Sequence, residues 1–137
     1  MKIIAKDSSN LEINFFNKVS PDSSDSNDSK WINVELIIKL NGFTAHQYLQ
    51  LYEDDILSFI ETINLFNRGD SQVVEFNNME EFFHLKGINI ESEIHWEGYS
   101  IYPIGNGNKL EFKFITSEND LELMKNDLIS DMRMINI

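Results

Sequence analysis

Three histidines, His46, His84 and His95, and 23 Asp and Glu side chains are the groups in this 137-residue chain that could move protons or hold a metal. No two histidines stand one helical turn apart, the spacing that places paired zinc ligands on one helix face. His84 and His95 could meet across neighbouring strands, with Glu91, Glu93 or Glu97 as a third ligand, but histidine and carboxylate fall together by chance in most domains. Cysteine is absent, which removes thiolate zinc sites, iron–sulfur ligation, disulfides and cysteine nucleophiles. Serine is frequent, yet no Gly-x-Ser-x-Gly elbow occurs. Gly105-Asn106-Gly107 lacks the third glycine and the following helix of a dinucleotide loop, and no phosphate-cradling loop is found. Glu80-Glu81, just ahead of an apolar run, reads as a solvated turn. The expectation is a binding protein with no catalytic residue, no metal and no cofactor, rather than an enzyme. Two alternatives stay open: a structural or ligand-binding module, and a small hydrolase or isomerase built from carboxylates with His84 or His95.

Charge narrows the partner. With 11 basic side chains against 23 acidic ones the formal net charge is −12. Nucleic acid and anionic membrane both repel such a surface, whereas a basic protein is attracted to it. Ten Phe and two Trp in a chain that is 42% hydrophobic give it enough apolar surface to hold a core, so it is no disordered acidic tail. No apolar run approaches the roughly 20 residues that span a bilayer, and Met1–Asp7 carries no signal-peptide core. The expected location is the cytoplasm.

The elements that must position these groups follow from periodicity. Leu11–Phe16 alternates as a strand does. The stretch 20–30 that follows is polar and acidic, and it reads as a surface loop whose three aspartates do not match the ligand spacing of an EF-hand. Trp31–Leu40 alternates strictly, with Ile32, Val34, Leu36, Ile38 and Leu40 on one face. Asn41-Gly42 is a hairpin turn, and the chain returns from Phe43 to Tyr52. Ile56, Phe59, Ile60, Ile63 and Phe66 then recur at helical spacing, from a cap at Asp54 or Asp55 to a stop at Gly69, giving a helix over about 55–67. Strands are expected at Gln72–Phe76, at Phe82–Leu85 and within Ile88–Ile101. A turn at Gly105–Asn108 leads into a strand over Leu110–Phe114. Leu121, Met124, Leu128 and Met132 mark a closing helix over about 118–131. No internal repeat is visible. The chain reads as a single domain, 1–137, of α+β class: an antiparallel sheet of six to eight strands packed with two amphipathic helices.

The faces of those strands that point away from the helices carry the most informative pattern. Glu91, Glu93, His95, Glu97 and Tyr99 alternate along one strand, and Thr44, His46, Tyr48, Gln50 and Tyr52 along another. Tyrosine supplies rigid contact area with a polar tip and favours interfaces. The expected partner-binding residues are Glu91, Glu93, His95, Glu97, Tyr99, His46, Tyr48 and Tyr52, an acidic surface set with tyrosine if both faces point away from the helices. The plainer readings are ordinary solvent-facing positions or burial beneath a neighbouring segment, and whether the two strands are adjacent stays open.

Two stretches carry a family likeness. Trp31–Leu36 runs on through Asn41-Gly42-Phe43-Thr44 to Tyr52-Glu53-Asp54-Asp55-Ile56 and Phe59, and Gly107–Phe114 follows later. With the acidic loop ahead of Trp31, they resemble the WapI family of bacterial immunity proteins, over about Ile3 to Ile129. The resemblance implies a cytoplasmic inhibitor made alongside a polymorphic, contact-dependent toxin, binding the toxin's C-terminal domain. Many such toxins are nucleases, which are basic because they bind phosphate. An acidic inhibitor would be steered toward one of them. The resemblance brings no catalytic residues with it.

Overall fold

Alternating apolar residues give each strand one face that must leave water, and the fold answers by turning two such faces toward each other. The computed structural model describes residues 1–25 and 27–136. The first half runs β1 (Lys2–Ile4), β2 (Asn10–Lys18), β3 (Trp31–Leu40), β4 (Phe43–Tyr52) and α1 (Glu53–Asn67). The second half runs β5 (Val73–Asn77), β6 (Phe83–Ile90), β7 (Glu93–Tyr102), β8 (Asn108–Ser117) and α2 (Asp120–Ile135). Both sets of strands form antiparallel sheets in sequential order, β1-β2-β3-β4 and β5-β6-β7-β8. The eight strands therefore divide into two sheets of four, and the plan of four strands then a helix occurs twice.

Leu11, Ile13, Ile32, Val34, Leu36, Ile38, Leu49 and Leu51 line the inner face of the first sheet, as the period of two requires. Val74, Phe76, Phe83, Leu85, Ile94, Trp96, Phe112 and Phe114 line that of the second. Ile56, Phe59, Ile60 and Ile63 from α1, with Leu121, Met124, Leu128 and Met132 from α2, join them in one buried cluster. Phe59 on α1 stands edge-on to Phe76 with ring centres 5.6 Å apart, which locks helix to sheet. In the second sheet Gly87 lies opposite Trp96, and a Cβ at Gly87 would sit 2.9 Å from the indole ring. The missing side chain is the space the tryptophan fills, and its Nε1 donates to Thr116 Oγ1 at 2.9 Å. One buried polar contact ties the sheets together: Ser100 Oγ on β7 donates to Gln47 Oε1 on β4 at 2.6 Å.

Several boundaries differ from the sequence expectation. α1 begins at Glu53, with Tyr52 in the cap position and no side-chain cap, because β4 runs directly into the helix. Glu91 and Ser92 form the β6–β7 turn, both at positive φ (52° and 67°), a two-residue hairpin without the Asn-Gly or Asp-Gly that usually announces one. α2 extends to Ile135, beyond the expected 131. A bulge in β2 sets Phe15 opposite Val34 and Asn17 opposite Asn33, leaving Phe16 as the extra residue.

Two stability measurements test these contacts. Ser100→Ala leaves a buried Gln47 acceptor without its donor and should cost about 1–3 kcal/mol in urea unfolding. Adding Gln47→Leu should recover part of that loss, and strictly additive single effects would show that the contact does not couple the sheets. At the start of α1, burial is the main force raising the Asp55 carboxyl pKa, the Asp54 charge adds to it, and the hydrogen bond from Met79 N–H at 2.8 Å opposes both. An acid with a raised pKa in the fold destabilises that fold when ionised: its contribution is most favourable below the ordinary value of 3.8 and declines as pH rises through the folded pKa. Asp55→Asn keeps an acceptor for Met79 and removes the charge. Its urea midpoint at pH 7 should equal or exceed that of the wild type, with any gap closing toward pH 3.

Candidate protein-interaction surface

The outer face of the first sheet is built in rows by the strand register. Glu12, Ile37 and His46 form one row, Asn14, Glu35 and Tyr48 the next, and Asn17, Asn33 and Gln50 the last. Asn14 donates to Glu35 Oε1 at 2.9 Å, and His46 Nε2 lies 2.6 Å from Glu35 Oε2. Those two bonds, Asn14's first, hold the Glu35 carboxyl below its usual range. The Tyr48 ring, 61% exposed, sits 5.2 Å from His46 and stacks at 6.3 Å on Phe16, which is 52% exposed. Phe16 follows Glu12 and Asn14 onto this face by alternation, and the bulge brings Asn17 onto it as well. Glu80 and Ile104, from loops of the second half, wall the same side into an open groove of about 600 Å³.

Tyr52 does not join this surface, although alternation alone would put it there. It is buried: the Trp31 ring meets it edge-on at 5.0 Å, Lys30 Nζ lies 5.9 Å from its ring centre, and its hydroxyl donates to Asn27 at 3.1 Å. The loop between β2 and β3 covers it, so Tyr52 anchors that loop.

His95, Glu97 and Tyr99 do point outward from β7, but on the other sheet, and their surroundings are not acidic. The register lines up Glu75, Lys86, Glu97 and Lys113 across all four strands. Lys6 pairs with Glu93, and Lys109 Nζ lies 4.4 Å from the Tyr99 ring centre. Glu75, Glu93, Glu97 and Glu111 thus face Lys6, Lys86, Lys109 and Lys113, and the charges cancel. Glu91 lies in the turn, off the strand face, because the chain reverses there. β4 and β7, whose adjacency alternation leaves open, lie in separate sheets, and the expected acidic character is corrected for β7, where cross-strand lysines neutralise the carboxylates. An apolar groove of about 540 Å³, with Ile88, Ile90 and Ile115 in its lining, also opens on this side.

The two histidines of the second sheet do not meet. His84 lies opposite Tyr99 and His95 opposite Ile88 and Ile115. His84 Nε2 is 2.8 Å from Glu75 Oε2, the main cause of a lowered Glu75 pKa. Among the described residues, no three His, Asp or Glu side chains converge as metal ligands.

The negative charge gathers at one end instead. Asp22, Asp25 and Asp28 lie in the loop ahead of β3, Glu53, Asp54 and Asp55 open α1, and Glu80 and Glu81 sit between β5 and β6. Contacts bind these three segments together: Tyr52 to Asn27, Lys30 to Asp54 at 3.3 Å, and Met79 N–H to Asp55. Eight carboxylates against Lys18 and Lys30 leave a net −6, half of the chain's −12, beside the Phe16–Tyr48 groove. Read singly along the chain, these were a solvated loop, a helix start and a turn. Phe16 was read only as the end of an alternating strand; a phenylalanine on the polar face beside Glu12 and Asn14 is the signal that could have marked it.

No helix is long and apolar enough to cross a membrane among the described residues. A solved structure, "Crystal structures of trypanosoma bruciei MRP1/MRP2", aligns with 92% of this chain and 84% of its own at 7% identity and a TM-score of 0.46. No curated protein sequence matches significantly. The model of the WapI-like immunity protein family matches residues 2–134, nearly the whole length that builds both sheets and both helices, and the chain belongs to that family.

Proposed function

We propose that this protein neutralises a basic bacterial toxin by binding its C-terminal domain in the cytoplasm of the producing cell, and that it acts by occlusion without chemistry of its own. Membership of an immunity family across residues 2–134 is the observation that carries the reading. The charge supports the basic character of the partner: −12 overall, with half of it crowded at one end, attracts cations and repels phosphate. A toxin that cleaves nucleic acid has the positive surface this charge would steer toward, so a nuclease is the toxin class we favour.

Two outcomes are expected. Co-expression with the cognate toxin, to be sought among the neighbouring genes, should restore growth, and the purified pair should elute as one complex; toxicity that persists with no complex would defeat the reading. Stopped-flow association should slow by about tenfold or more from low salt to roughly 0.5 M, because screening shortens the reach of the attraction. A salt-independent rate would remove the electrostatic part of the proposal.

A further inference from the structure

Resting on that toxin-neutralising reading, we infer that the toxin docks on the Phe16–Tyr48 groove of the first sheet, with the acidic end of the molecule as its rim and a lysine- and arginine-rich face of the toxin as the occupant. The groove supplies what a binding hot spot needs. Tyr48 and Phe16 are large, stacked and exposed, with Ile104 beside them, in a concavity of about 600 Å³. Polar Asn33 and Gln50 fill its floor toward the acidic loop. An arginine stacked on either ring would gain a cation–π contact while its neighbours met the carboxylates of Asp22, Asp25 and Glu80.

Charge complementarity selects this face over the other. The second sheet offers a wider apolar lining at Ile88, Ile90 and Ile115, but its four lysines already balance its glutamates, so it presents a basic partner with no net attraction. The acidic end also holds repulsion that a cation would relieve. Burial is the chief cause of the raised Asp55 pKa and the neighbouring Asp54 charge adds to it, and Lys30 is the one lysine in ion-pair contact with these eight carboxylates among the described residues. At the foot of the same end, Asn78 is buried and its Oδ1 accepts from Phe82 N–H at 3.1 Å, while its Nδ2 meets no acceptor among the described residues.

The test uses the whole chain and the purified C-terminal domain of the cognate toxin, with binding followed by biolayer interferometry. Asp22→Lys combined with Glu80→Lys alters two exposed side chains outside the core and should slow association about tenfold. Tyr48→Ala should speed dissociation tenfold or more, and Phe16→Ala should act in the same direction. Ile90→Asp and Glu111→Lys on the second sheet should bind within about twofold of wild type. Unchanged binding by the Lys double variant and by Tyr48→Ala, or loss confined to Ile90→Asp, would overturn this site while leaving toxin neutralisation standing. No complex with the wild-type chain would overturn both. Thermal unfolding midpoints matching wild type show that each variant is read in its folded form.

Discussion

Neither four-stranded sheet can bury its apolar face alone, and that constraint organises the molecule. A sheet with one hydrophobic side needs a second layer, and here each sheet supplies part of it for the other while the two helices fill the rest. Phe59 against Phe76 and the Gln47–Ser100 contact are two of the places where the halves meet, one by ring packing and one by a buried polar bond. Because the inner positions are committed to this shared core, recognition is left to outer strand positions and to the loops at the sheet ends.

What could be seen in the sequence was what a short window determines. The strict alternation of Trp31–Leu40, the Asn41-Gly42 turn and the helical stripe through Ile56, Phe59 and Ile63 all appear as expected. The division of the strands into two sheets was not legible, since it depends on contacts between distant segments, such as Gln47 with Ser100, that no local pattern encodes. The turn at Glu91-Ser92 was hidden for a plainer reason: neither residue type favours the left-handed conformation it adopts.

The site followed the same division. His46 and Tyr48 were identified on a face they do occupy, because side-chain alternation is a local property. Tyr52 obeyed the alternation too, but a loop from a distant part of the chain covers it. The charge of β7 was misjudged because Lys86 and Lys113 come from neighbouring strands, and a cross-strand ladder cannot be read along one strand. Net charge was legible as a total; its concentration at one end required three segments to be brought together by folding.

The twice-used plan of four strands and a helix has a consequence for how such a protein can change. Its halves share a core and are also tied at their edges, by Lys6 to Glu93, Met1 to Asp131 and Met79 to Asp55, while the middles of their outer strand faces stay separate. Drift at Phe16, Tyr48 or the aspartates of the loop ahead of β3 leaves Trp96, Gly87 and the core untouched. Side chains on the outer face of the first sheet can therefore change without opening a cavity, whereas a change at Gly87 or Trp96 disturbs the packing of the second.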